Sequence, residues 1–306
     1  METRIPLGSS EMRPMNSPRK SEDSGPAASA GLNSPIRLLV LGMMLGFLWA
    51  GQAVRAQETA PATSPVETLN LSDQKAVKDR GDLFMVRKFF PEAVGMYRRL
   101  TELDPKNPVY QNLLGIAYHQ MQNFDDAKKA YRAALRLNPK YPEATNNLAA
   151  VEYAQKNYRA AILTYFKALE LSPGDAVIYS NLGTAYFAYK RFDYAMDCYR
   201  YALLRDPTIF ERSGRTGSIV HQRDVQDVAG FNFYLAKTYA GLNDIENTLL
   251  YLSKAWESGF ADLRKSLNDK AFAFLAKEPR FVEFVAQLDR EEQQKAAPGE
   301  SAPASR

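Results

Sequence analysis

Cysteine occurs once in the 306 residues, as Cys198, and histidine twice, as His119 and His221. A single thiol excludes an intramolecular disulfide framework and any metal site built on several thiolates. Two imidazoles leave little material for acid–base chemistry near neutral pH. A strong excess of one charge is also missing. The chain carries 39 basic and 35 acidic residues, and beyond residue 56 the balance is 33 to 31. Nucleic-acid binding needs a concentrated basic face, which so even a balance does not supply. No glycine loop for phosphates, no HExxH, no paired thiols, no GxSxG and no Ser–His–Asp set is present. The expectation is no catalytic residue, no metal, no cofactor and no enzyme.

What is present begins with an N-terminal leader. Residues 1–35 are rich in Ser, Pro, Gly and charge, a composition that lacks the apolar content to fold. Residues 36–56 read IRLLVLGMMLGFLWAGQAVRA, with Arg37 ahead of an apolar run from Leu38 to Gly51. That run is short for a membrane span, which needs about 20 residues. It suits the apolar region of a secretory signal, with Val54 and Ala56 at the small-residue places before cleavage ahead of Gln57. Export to the periplasm or beyond is the expectation. Retention in the inner membrane through residues 36–54 is the alternative. The long leader also allows a true start at Met12 or Met15. Residues 57–70 form a polar linker with Pro61 and Pro65.

Beyond the linker the chain repeats itself. The stretches from Leu114 to Pro139 and from Leu182 to Pro207 agree at 12 of 26 positions. They stand two periods apart. Pro105, Pro139, Pro173 and Pro207 stand at intervals of 34, as do Ala93, Ala127, Ala161 and Ala195, and Tyr97, Tyr131, Tyr165 and Tyr199. Gly81, Gly115, Ala149 and Gly183 follow the same interval with one change.

Within one unit, Leu114, Ala117, Tyr118 and Met121 recur at three and four, which makes an amphipathic helix. Asn123 and Asp125 break it. Ala127, Ala130, Tyr131, Ala134, Leu135 and Leu137 make a second, which Pro139 ends. Gly115 and Ala127 let the two helices approach, with Tyr118 and Tyr131 filling the space beside them. One such hairpin cannot bury its apolar face, so neighbours must stack.

This pattern resembles the tetratricopeptide repeat, whose unit has this same length, small residues and an aromatic in both helices, and a closing Pro. The likeness covers four units in residues 71–207. It implies an all-α fold, a right-handed superhelical solenoid of antiparallel helix pairs. The third unit departs, with Glu152 where its neighbours have Phe84, Tyr118 and Tyr186; adjacent Tyr153 is expected to supply the ring. A fifth, degenerate unit spans 229–260, where Thr248 replaces an Ala and the closing Pro is missing. The 208–228 stretch between them is a polar insertion, either a solvated surface loop or a recognition loop using Arg212, Arg215 and Arg223. Residues 261–290, with Leu267, Phe272, Phe274, Leu275, Phe281, Phe284, Val285 and Leu288 at helical spacing, are expected to form helices that seal the open end. Trp256 is expected to pack between them and the fifth unit. Residues 291–306 read as a disordered tail.

The resemblance also implies where a partner binds. First helices line the concave surface, and the second, fifth, sixth, ninth and twelfth places of each unit face a bound peptide. The residues carried over are Lys78, Asp82, Asn112, Ile116, His119, Asn147, Tyr153, Asn181 and Phe187. Asn147 and Asn181 stand 34 apart and could form a ladder of amides for a peptide backbone. A clamp on a terminal carboxylate would suit Lys78, but Glu143 opposes it. His119 reads as a surface residue and Cys198 as a small buried filler. The expected function is a scaffold that holds an extended segment or helix of another protein. The alternatives are a self-associating structural protein of the envelope and a regulatory subunit acting through 208–228.

Overall fold

The computed structural model describes residues 70–211 and 227–296. The leader, the apolar run, most of the linker, residues 212–226 of the insertion and residues 297–306 lie outside the described residues. So do Trp49, His221, Arg212, Arg215 and Arg223.

The compact unit Leu69–Arg306 is helical throughout its described residues, with no strand among them. Four helix pairs come first: α1 Gln74–Val86 with α2 Phe90–Leu103, α3 Pro108–Gln120 with α4 Phe124–Leu137, α5 Pro142–Ala154 with α6 Tyr158–Leu171, and α7 Ala176–Ala188 with α8 Phe192–Arg205. Each pair starts one full period after the last. A fifth pair follows, α9 Val228–Ala240 and α10 Ile245–Glu257. Then come a short α11 Leu263–Ser266, a 3-10 turn Lys270–Leu275 and α12 Pro279–Ala296. Helices pack within their pair and on the next pair in sequence, which is the arrangement of a helix-pair solenoid.

The closing segment keeps the register. Pro279 begins α12 one period past Ile245, so 261–296 is a worn sixth pair whose first helix has broken into α11 and the 3-10 turn. Leu263, Leu267, Phe272, Leu275, Phe281 and Leu288 are buried in it, while Phe274 points to solvent. Trp256 meets Phe284 edge-on at 5.8 Å. The helix runs to Ala296, so the tail expected from residue 291 begins later. Arg290 is exposed on that helix and Glu291 is half-buried.

The close approach in the first, second and fourth pairs rests on glycine, and the third has Ala149 at that place. A Cβ on Gly115 would stand 2.5 Å from the Tyr131 ring, and one on Gly183 would stand 2.5 Å from Tyr199. The second-helix tyrosine therefore lies on the glycine itself rather than beside it. Tyr97, Tyr131, Tyr165 and Tyr199 are all fully buried. Met121 and Leu137, which the apolar pattern had placed inside, are exposed.

The hydroxyls of those tyrosines fare differently because the facing residue changes. Tyr97 donates to Asp82 at 2.8 Å and Tyr199 to Thr184 at 3.4 Å. The same place in the second unit is Ile116, which cannot accept, and the Tyr131 hydroxyl is buried with no partner among the described residues. Burial pushes the Tyr131 phenol well above its ordinary range. We expect Tyr97→Phe to lower the unfolding free energy by about 1 kcal/mol. Tyr131→Phe should leave it unchanged or raise it, because an unmade bond is removed. Paired chemical denaturation curves check the contrast.

Every first helix ends in the same corner. Lys88, Gln122, Lys156 and Lys190 take φ of 61, 58, 62 and 60°. The next residue's N–H returns to the carbonyl five back, as Phe89 to Phe84 and Asn123 to Tyr118. This left-handed cap suits glycine best. Gln122→Gly should raise the unfolding free energy by about 0.5–1 kcal/mol, read as a higher melting temperature by circular dichroism.

The two ends of the stack differ from its interior. Arg80 stands where later units have Leu114, Leu148 and Leu182, and lies 5.0 Å from the Phe84 ring. With Lys75 and Asp79 paired at 2.6 Å, the outer side of α1 is polar. Helix α7, by contrast, has no charged residue and is buried from Ile178 to Phe187.

Candidate functional site

The nine residues expected to face a partner fall into three groups. Lys78 and Asp82 sit on α1, one turn apart, and pair at 2.6 Å with both side chains about two-fifths exposed. Asp82 also accepts from Tyr97, so the Lys78 ammonium is already matched. A carboxylate clamp would have to displace that bond. Ile116 on α3 is half-buried, and neighbouring Val109 is exposed.

The second group is the amides. Asn147 donates to Asn112 at 3.0 Å, Asn181 donates to Asn146 at 3.0 Å, and Asn146 donates to Asn147 at 3.3 Å. Asn112 in turn bonds the Tyr141 hydroxyl. The result is one continuous chain across α3, α5 and α7, with every amide at most 2% exposed. Asn147 and Asn181, expected to offer their amides to a peptide backbone, are instead buried inside the stack. Each pair of amides is offset by one more than the repeat, because the amide at the sixth place reaches the fifth place of the unit before. These bonds are made within the stack, so the amides brace it.

The third group is the twelfth place of each unit. His119 meets Phe124, Tyr153 meets Tyr158 and Phe187 meets Phe192, each at 5.5 Å between ring centres. In each case the partner ring is the first residue of the following helix, so the contact closes the hairpin. All three are buried. His119 is therefore not a surface residue. Tyr153 does not stand in for the ring missing at Glu152, since it holds its own twelfth-place contact. Glu152 instead accepts from the Thr164 hydroxyl at 2.7 Å.

The fifth pair adds residues that the sequence reading left out. Tyr234 lies flat on Phe192 at 4.3 Å and also meets Phe187 at 6.0 Å. Phe233 stacks on Phe260 at 4.3 Å. Lys237 pairs with Asp269 of the closing segment at 2.7 Å. The same carboxylate caps the 3-10 turn through the Ala271 N–H, and its pKa is held down by that backbone bond first and by Lys237 second. With Leu235 and Tyr239 in register with the earlier units, Phe233, Tyr234 and Lys237 fall at the fifth, sixth and ninth places, which were counted only through the fourth unit.

Reactive groups are scarce. Among the described residues no cluster of His, Cys, Asp and Glu could hold a metal ion. Burial pushes the Cys198 thiol far up, which makes it a packing residue. Among the described residues no helix is long and apolar enough to cross a membrane.

Family models for the tetratricopeptide repeat match residues 112–176 and 176–209. Residues 112–209 carry tetratricopeptide repeats. The match covers the second to fourth units, the ones with the tightest glycine–tyrosine packing and the continuous amide chain. Solved tetratricopeptide-repeat structures are similar as well. One is Pseudomonas aeruginosa PilF, 16% identical, with 74% of this chain and 93% of that chain covered and a TM-score of 0.47. A second is MamA from Desulfovibrio magneticus, 18% identical, covering 64% and 97%, with a TM-score of 0.42. A third is YrrB, a repeat protein with an unusual peptide-binding site, 18% identical, covering 63% and 90%, with a TM-score of 0.40. Comparison with curated proteins found no match.

Proposed function

We propose that the chain is a protein-interaction scaffold that holds a segment of another protein against the first helices of its first two units. Tetratricopeptide repeats are in general non-catalytic scaffolds, and residues 112–209 match that family. The observation that carries the placement is the pattern of exposure. Asn112, His119, Asn147, Tyr153, Asn181 and Phe187 are committed to the stack. Lys78, Asp82, Met85, Ile116 and Val109 keep accessible surface on α1 and α3. That face is apolar with one internally matched ion pair, which suits a short, largely uncharged segment. The mechanism is presentation, with no bond made or broken.

The site of action we propose is the cell envelope, supported by the apolar run from Leu38 to Gly51 and the small residues before Gln57. Fractionation with N-terminal sequencing should find a chain starting at Gln57. Crosslinked co-purification from the envelope then tests the scaffold, using the native chain beside a Lys78→Glu, Val109→Glu variant. A partner captured by the native chain and lost by the variant, with equal helicity by circular dichroism, supports the reading. A partner held equally by both sinks the placement.

A further inference from the structure

The corners that join first to second helices line up along one edge of the stack. They are residues 86–89, 120–123, 154–157 and 188–191, one per unit at the repeat period. The left-handed residue of each corner turns its side chain outward, and Lys88, Gln122, Lys156 and Lys190 are all exposed. Arg87 and Arg191 stand beside them, also exposed. Among the described residues none of these five basic groups forms an ion pair, whereas Lys78, Lys129 and Arg200 do. The Lys190 ammonium lies 5.9 Å over the Phe192 ring.

The same corners carry apolar side chains where a turn between helices would ordinarily be polar. Val86 is 81% exposed, Phe89 49%, Met121 41% and Tyr189 38%. The places of Val86 and Phe89 are held by Gln120 and Asn123 in the next unit, and although the Phe89 ring meets Phe84 edge-on at 6.4 Å, half of it stays exposed. The carboxylates nearest this edge are Glu92, Asp125 and Asp193, set back in the first turn of the second helices. Asp126 is matched by Lys129 at 2.8 Å. The opposite edge differs, because its corners carry Asp104 and Asp175 as well as Lys106 and Lys140.

We propose that this corner edge rests on an anionic lipid surface. Unpaired bases at the first, third and fourth corners, with successive corners about 10 Å apart as packed helices are, match the charge of such a surface. Exposed Val86 and Phe89 between Arg87 and Lys88 match its apolar boundary. A soluble polyanion would satisfy the bases but leaves those two side chains unexplained. The apolar run at 38–51 gives the chain an independent reason to meet a membrane, whether that run is cleaved or kept. This inference does not depend on the partner face of α1 and α3.

The experiment uses the chain from Gln57 onward, which contains the whole compact unit Leu69–Arg306. It is sedimented with vesicles of mixed phosphatidylglycerol and phosphatidylcholine, and with phosphatidylcholine alone. Binding should occur only to the mixed vesicles and weaken with salt. Reversal of three bases, Lys88→Glu, Lys156→Glu and Lys190→Glu, should lower partitioning by roughly 100-fold. Val86→Ser with Phe89→Ser should lower it about tenfold while leaving the salt dependence unchanged. Lys106→Glu with Lys140→Glu, on the opposite edge, should change it little. Circular dichroism confirms that each variant folds. Absence of binding to the mixed vesicles overturns the proposal. So does equal loss from the opposite-edge variant, or binding that ignores Val86 and Phe89 and is competed by heparin, which would mark a polyanion site.

Discussion

Phe187→Ala is expected to lower the unfolding free energy by about 3–5 kcal/mol, the usual cost of emptying a fully packed aromatic site. Phe187 is 2% exposed and touches three rings: Phe192 at 5.5 Å, and Phe231 and Tyr234 at 6.0 Å each. The first belongs to its own hairpin and the other two to the fifth pair. The side chain thus joins the fourth unit to the part of the chain that lies beyond the insertion. Residues 208–211 reinforce that joint, since Phe210 wedges edge-on against Tyr199 at 5.3 Å and reaches Phe231 at 6.4 Å. Removing Phe187 leaves a void that neighbouring rings cannot fill without leaving their own stacks. Denaturation followed by circular dichroism reads the size of the loss. Hydrogen exchange should show faster opening in α9 and α10 than in α3 and α4. A loss under about 1 kcal/mol, with exchange unchanged in α9, would mean that Phe187 is not a packing residue.

Asn147→Ala is expected to cost about 2–4 kcal/mol, because Asn147 is both acceptor and donor in the buried chain and its removal takes a partner from two groups at once. Those groups are the Asn146 amide and the Asn112 carbonyl. An unmet polar group away from water costs more than the bond itself was worth, which is why the middle of a chain is its most sensitive point. A double-mutant cycle with Asn112→Ala separates the two effects. The double variant should cost clearly less than the sum of the singles, because the Asn112 carbonyl is removed with its partner. Additive costs would show that the two amides do not act through each other. For the same reason neither Asn147 nor Phe187 is a fair probe of partner binding, since each variant weakens the scaffold itself.

The helix pairs, their period and their closing prolines were legible because a solenoid writes the same demands in every unit. Gly115, Tyr131 and Pro139 recur for one steric reason each, and four copies make that reason visible. Counting places also put Lys78, Asp82 and Ile116 on α1 and α3, where they keep accessible surface. What failed was the assumption that a place in the register fixes its exposure. His119, Tyr153 and Phe187 occupy a partner-facing place but meet the ring that begins the next helix, a contact across the hairpin corner that no helical period describes. The amides failed differently. They pair on a diagonal, one step longer than the repeat, and a search restricted to the period cannot see a diagonal. Tyr153 was misread as the ring missing at Glu152, whose own partner, Thr164, sits in the facing helix. Tyr234 and Lys237 were passed over because the partner-facing places were counted only through the fourth unit.

The packing clusters also carry a mechanical consequence. One apolar core runs unbroken from Ala149 to Leu288, tied by the rings of the fourth and fifth pairs. Two smaller cores precede it, one joining the first and second units from Val77 to Ala130 and one joining the second to the third through Ala127, Tyr131 and Val151. A pull applied at Leu69 would therefore meet a graded fastening. It would peel α1 and α2 first, at low force, and stall where the ring cluster begins. The protein is built as a soft leading end on a hard anchor block, and a single-molecule trace should show two yield points in that order.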